Sequence, residues 1–221
     1  MTERQANRQQ KSIVVLVSGN GSNLQAIIDD IFQLKINAKI SAVIANQATA
    51  YGLTRAENAS IPSIYIDHKS FDSREEYDAQ MVRCINEYNP DLIVLAGFMR
   101  ILTSGFVENY IGKMLNIHPS LLPKYKGLNT HQRAIDAGDE EHGASVHFVT
   151  PELDGGPVVL QSKVPVFEQQ DTQELADRVQ QQERQMYPLV IQWFCEDRLK
   201  MVNNKAVLDN EILAEEGYAI G

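Results

Sequence analysis

Short, continuous apolar runs alternate along the chain with stretches in which apolar residues recur every three or four positions. The runs are Ile13–Val17, Ile40–Ala45, Ser63–Ile66, Leu92–Gly97 and Met114–Ile117. They lack the apolar–polar alternation of a half-exposed sheet and match strands covered on both faces. Leu24–Phe32, Tyr51–Ala59, Ser73–Tyr88 and Ser104–Tyr110 carry the helical spacing between them. The third of these has Asp72 or Ser73 as its N-cap and Asn89–Pro90 as its stop. Such β-α-β-α alternation predicts an α/β fold: a Rossmann-like, mostly parallel twisted sheet with helices on both faces.

The last third changes character. His131–Ala137 reads as a helix, and Ala144–Val149 and Val158–Val166 as strands joined by the loop Pro151–Pro157. That pair predicts an antiparallel hairpin on the sheet edge. Thr172–Phe194 reads as one long helix capped at Asp171 or Thr172, with Pro188 as a point where it kinks or breaks. Arg198–Leu208 has the pattern of a small terminal hairpin. No linker, repeat or low-complexity stretch interrupts the pattern, so we expect one domain over residues 12–221. The polar stretch before it, residues 1–11, is expected to be a disordered tail.

Composition narrows the class. Hydrophobic residues make up 43% of 221 residues, enough for a core that needs no staples. Cys84 and Cys195 show neither paired nor metal-type spacing and read as reduced, structural thiols. The N-terminus, MTERQANRQQK, has no apolar segment behind its charges and is not read as a secretory signal. The apolar runs are far too short to span a bilayer. A cytoplasmic chain with no membrane partner is the expectation. A net charge of −9 disfavours a long nucleic-acid partner, although one phosphate needs only a local pocket.

Five motifs carry candidate chemistry. SGNGSN lies between the first strand and the first helix. Gly19 and Gly21 permit a sharp turn that exposes backbone N–H groups, Ser22 and Asn23 add polar caps, and the helix N-terminus behind them favours an anion. Leu24 stands where a dinucleotide fingerprint needs a third glycine, so the motif suits a monophosphate; the alternative is an ordinary Gly-rich turn. FMRILT follows the fourth strand, where open α/β sheets hold ligands. There Met99, Ile101 and Leu102 offer an apolar wall for a flat heterocycle, while Arg100 by itself reads as a solvated side chain. Arg74 sits in a helix's first turn, against the dipole, which hints at an anionic partner or a neighbouring carboxylate.

The fourth motif is LNIHPSLLP. Residues i and i+2 of a strand share a face, so Asn116 and His118 point together and Ile117 points away. Pro119 keeps His118 extended. An amide and an imidazole converging at a strand's carboxyl end suit oxyanion stabilisation and proton movement; the alternative is a satisfied His at a strand edge. In LDGGP, the glycines let Asp154 enter a cleft, and an Asp beside a His would favour the imidazolium; a turn Asp before two glycines is the other reading. His68, His131, His142 and His147 lack metal-ligand spacing, so no metal is expected, and His147 reads as structural. Glu183 reads as part of a solvated helix face.

SGNGSNLQAI, LAGFMRIL, LNIHPSLLPKYKG, HGASVHFVTPELDGGP and QQERQMYPLV occur in this order. Taken together they resemble the formyltransferases that use formyl-tetrahydrofolate, over about residues 12–220. SGNGSN points to the branch that acts on glycinamide ribonucleotide. The resemblance implies formyl transfer from 10-formyltetrahydrofolate, a co-substrate, to the amine of that ribonucleotide, in de novo purine synthesis. It implies that Gly21, Ser22 and Asn23 bind the ribose 5-phosphate and that Glu183 lies near the glycinamide. Arg74, Met99, Arg100, Ile101, Leu102 and Asn116 would form the folate side. Asn116 and His118 would flank the formyl group, with Asp154 tuning His118 and assisting proton transfer. The chain departs from the family pattern in its longer polar N-terminus and in Lys126, within a loop that is often Pro-Gly. Oligomeric state is not legible here. The alternatives are a formyltetrahydrofolate hydrolase, a methionyl-tRNA formyltransferase-like enzyme, and a non-catalytic sugar-phosphate or folate sensor.

Overall fold

The computed structural model describes residues 9–218. Of the expected tail, residues 1–8 lie outside the described residues; Lys11 belongs to the first strand rather than to a tail. The elements follow the expected order: β1 (Lys11–Val17), α1 (Ser22–Phe32), β2 (Ala38–Ala45), α2 (Tyr51–Asn58), β3 (Ser63–Tyr65), α3 (Arg74–Asn86), β4 (Leu92–Leu95), α4 (Ser104–Glu108) and β5 (Met114–His118). Then come α5 (Thr130–Asp136), β6 (Glu141–Phe148), β7 (Val158–Pro165), α6 (Thr172–Cys195), β8 (Leu199–Val202), β9 (Lys205–Leu208) and β10 (Glu211–Ile212).

Seven strands form one sheet in the order β3-β2-β1-β4-β5-β6-β7. β1 to β5 pair in parallel, and β6 and β7 continue the sheet antiparallel, as its edge hairpin. The terminal hairpin β8–β9 exists and gains a third strand, β10, in a separate small sheet. β1 explains why its run is apolar throughout. Ile13, Val15 and Val17 pack into one core cluster with Leu24 and Ile27 of α1 and Leu175 and Val179 of α6. Val14 and Leu16 pack into a second cluster with Tyr77, Met81 and Ile85 of α3 and Phe106 of α4. Side chains of a strand alternate between faces, so a strand between two helical layers must be apolar at every position.

Caps set the helix starts. The Ser73 hydroxyl accepts from the Glu76 N–H, the Thr103 hydroxyl from the Phe106 N–H, and the Asp171 carboxylate from the Glu174 N–H. α6 runs through Pro188 without ending there. Its Tyr187 is buried, and the hydroxyl donates to the carbonyls of Leu95, the last residue of β4, and Leu115, near the start of β5, at 3.1 and 2.9 Å. Cys84 and Cys195 are free and buried, and burial pushes the Cys195 thiol up to about 12.

The sheet order reverses at β1, with β2 and β3 on one side and β4 and β5 on the other. Open α/β sheets leave a crevice beyond the strand carboxyl ends at such a point. The segments after β1, β4 and β5 all emerge there.

Candidate active site

The segment after β1 turns at Gly21, whose φ of 73° lies in the left-handed region. A Cβ added there would stand 2.8 Å from the Cα of Gly52 in α2, so both the turn and the close approach require glycine. Gly21 caps α1, and the first turn of that helix carries no acidic side chain. Its unpaired N–H groups are the anion-attracting feature of the loop. Asn23, in that turn, is buried. Its Nδ2 donates to Glu183 Oε2 on α6 at 2.9 Å, and its Oδ1 is buried with no hydrogen-bond partner among the described residues. Glu183 is therefore a buried residue rather than part of a solvated face. Burial raises its carboxyl above the usual range, against the lowering effects of the Asn23 hydrogen bond and the Arg184 charge.

Ser18 ties this loop to the segment after β4. Its N–H donates to Gly97 O at 3.1 Å, its hydroxyl donates to Asn46 Oδ1 at 2.6 Å, and the same hydroxyl oxygen accepts from Met99 N–H at 2.7 Å. Met99 and Ile101 remain 72% and 58% exposed, an apolar wall left open beside the crevice. Arg100 is not the solvated side chain expected of it in isolation. Its guanidinium lies 4.4 Å above the Tyr77 ring, and its Nε is buried without a partner among the described residues. Arg74 reaches the same wall: its Nη2 donates to Ile101 O at 2.6 Å. Among the described residues the partner of this cation is thus a backbone carbonyl rather than the adjacent carboxylate that its place in the helix offered.

The centre lies at the end of β5. Asn116 pairs across the sheet with His147 of β6, and Asn116 Nδ2 stands 3.1 Å from His147 Nε2. His147 Nδ1 lies 2.9 Å from Phe148 O. A carbonyl only accepts, which puts the proton on Nδ1 and leaves Nε2 to accept from Asn116. The Asn116 amide is thereby oriented. His118 Nε2 lies 2.9 Å from Tyr125 O, and its Nδ1 lies 3.4 Å from Asp154 Oδ2. Acceptors at both ring nitrogens are an arrangement that the imidazolium satisfies completely. Asp154 Oδ2 also accepts from Gly127 N–H at 2.9 Å, and its Oδ1 lies 3.7 Å from His147 Nε2. The His118 and Asp154 side chains are only 7% and 9% exposed. The β6–β7 loop can deliver Asp154 here because it closes tightly: a Cβ on Gly156 would overlap Phe148 O at 1.9 Å.

His147 is the member of this cluster that the sequence assigned to structure. The cross-strand register is what brings it opposite Asn116. Its ring is 98% buried, and burial pushes it down to about 4, against the upward pulls of Phe148 O and Asp154. An unfolded His titrates near 6.5. Between these values the unfolded chain binds more protons, so stability falls as pH drops from about 6.5 toward 4. His147→Gln keeps an acceptor for Asn116 and should flatten this slope by about 2–3 kcal/mol over that range. His142, also pushed down to about 4 by burial, retains its share of the slope. Denaturant unfolding at pH 7, 5.5 and 4.5 checks this, and identical slopes in the two proteins would exclude the assignment. Among the described residues, no group of three or more His, Cys, Asp or Glu side chains could hold a metal ion, and no helix is long and apolar enough to cross a membrane.

Comparison with known proteins adds four findings. The profile of the family described as formyl transferase matches residues 11–191. The chain is 57% identical over 208 residues to the phosphoribosylglycinamide formyltransferase of Escherichia coli (strain K12), covering 94% of this chain and 98% of that protein. It is 53% identical to the enzyme of the same name from Haemophilus influenzae, covering 95% and 99% of the two chains. Among solved structures, the phosphoribosylglycinamide formyltransferase of Coxiella burnetii in complex with CHES superposes with a TM-score of 0.92 at 50% identity, covering 96% of this chain and all of that one.

Proposed function

The chain belongs to the formyl transferase family, within its phosphoribosylglycinamide formyltransferases, and from that premise we propose how its site carries out the reaction. Residues 12–221 act as one formyltransferase unit in the cytoplasm. They move a formyl group from 10-formyltetrahydrofolate to the amine of glycinamide ribonucleotide, a step of purine biosynthesis. The carrying observation is the convergence of Asn116, His118 and Asp154 at the end of β5, the neighbour of β4, whose following segment carries the apolar wall and is tied to the loop after β1.

The amides around Gly21, Ser22 and Asn23 hold the ribose 5-phosphate at the helix N-terminus. Glu183 and the unpaired Asn23 Oδ1 are acceptors suited to the N–H groups of the glycinamide. Met99, Ile101 and Leu102 take the flat face of the folate, with Arg100 and Arg74 bracing that wall. Asn116 and His118 aim N–H donors at the formyl oxygen, where negative charge develops as the amine nitrogen attacks the formyl carbon. His118 must exchange its contact with Tyr125 O for that oxygen. Asp154 balances the charge on His118 and receives, through water, the proton that the amine loses. The bond between the formyl carbon and the folate nitrogen breaks, and that nitrogen takes up a proton. No covalent enzyme intermediate is required.

Formyl transfer measured with the purified protein tests the reading, with glycinamide ribonucleotide, tRNA and water as competing acceptors. Transfer to the ribonucleotide alone supports it; preferred hydrolysis, or transfer to tRNA, overturns it. The phosphate loop has its own test. Gly21→Ala places a Cβ against the α2 backbone at a positive φ and should displace the amides. The KM for the ribonucleotide is expected to rise at least tenfold, since one charge-assisted hydrogen bond contributes about 1.5–3 kcal/mol, while the KM for the folate moves much less. Equal weakening of both substrates would make the loop merely structural.

A further inference from the structure

The phosphate loop, Ser18 to Asn23, contains no charged side chain, in a protein whose net charge is −9. A phosphate monoester brings a charge of about −1.5 to −2 at neutral pH. A cation does meet the loop, and it comes from α2. Arg55 Nε donates to Asn20 O at 2.8 Å, Nη2 donates to Asn20 Oδ1 at 3.0 Å, and Nη1 donates to Gln25 Oε1 at 3.0 Å. One guanidinium thus joins the turn residue between the two glycines to the helix that follows. Its plane is braced 4.9 Å from the centre of the Tyr51 ring, and Gly52 N–H donates to Gly19 O at 3.1 Å beside it. The planar fork of an arginine makes several oriented bonds at once, which an ammonium cannot.

We propose that Arg55 is a positioning residue for substrate phosphate. It holds the 19–21 turn in the shape that aims the amides of α1, and it supplies the positive charge that the loop lacks. The ligand class is a phosphate monoester dianion. The proposal rests on the reading that this loop holds the ribose 5-phosphate, and it adds a residue from a different element to that site.

The test compares the parent protein with Arg55→Met and Arg55→Lys, using inorganic phosphate as a competitive inhibitor alongside steady-state kinetics. In Arg55→Met, the KM for the ribonucleotide and the inhibition constant for phosphate should both rise about tenfold. The KM for the folate and the unfolding midpoint should stay close to the parent values. Arg55→Lys keeps the charge without the fork and should fall between the two, with a deficit that widens as salt screens the remaining charge. If phosphate competes equally well in all three proteins, Arg55 has no part in binding and the proposal fails while the phosphate-loop reading stands. If phosphate does not compete even in the parent, the loop reading fails and the proposal falls with it. A parallel rise of both Michaelis constants with a lowered midpoint would reduce Arg55 to a packing residue and overturn the proposal.

Discussion

Replacing Asn116 or His118 by alanine is expected to lower kcat by roughly 10²–10³ each, the scale of losing one preorganised donor to a developing oxyanion. Both side chains leave the same face of β5, Asn116 held by His147 and His118 by Asp154. They are aimed before substrate arrives, so their contribution appears in the rate more than in binding. Because both are proposed to act on one charge, the double variant should lose less than the product of the two single effects. Steady-state and single-turnover rates measure this. An unchanged kcat in either single variant removes that residue from the mechanism. Full multiplicativity would mean the two residues serve separate steps.

Asp154→Asn is expected to cost kcat about 10³–10⁴, as when a buried Asp behind a catalytic His becomes its amide. Asn has nearly the same shape and can still accept the Gly127 N–H, so the loop should keep its place and both Michaelis constants should change little. What disappears is the negative charge 3.4 Å from His118 Nδ1 and the group proposed to take the proton. Combining the substitution with His118→Ala separates these two roles. If Asp154 acts only through His118, the double variant should be no slower than His118→Ala alone. A further loss would identify Asp154 as a proton acceptor in its own right. A kcat within a few-fold of the parent would leave Asp154 as a turn residue ahead of Gly155.

Much of the architecture was legible along the chain because it is written in local periods. The uninterrupted runs at Val14 to Val17 and Leu92 to Leu95 require helices on both faces, and the sheet has them. The Ser73 and Asp171 caps mark where their helices start, since only a short polar side chain satisfies those N–H groups. That Asn116 and His118 share a face follows from a strand's period of two. Where a local rule and the whole fold diverged, the fold prevailed: α6 passes through Pro188 because its apolar face is buried along its length.

The partners of those residues were decided elsewhere. His147 becomes a neighbour of Asn116 only through the antiparallel register of β5 and β6. Glu183 looks like a solvated helix position until α6 lies against α1 and buries it beside Asn23. Arg55 meets the loop after β1 only because α2 packs against the turn at Gly21. Sequence alone determined which segments are strands and helices, which faces they bury and where chemistry-bearing residues leave the sheet, since burial and backbone conformation are recorded within a few neighbouring residues. Tertiary structure alone decided which charges and hydrogen-bond donors meet, because those contacts join residues far apart in the chain, through registers and packing that no local pattern encodes.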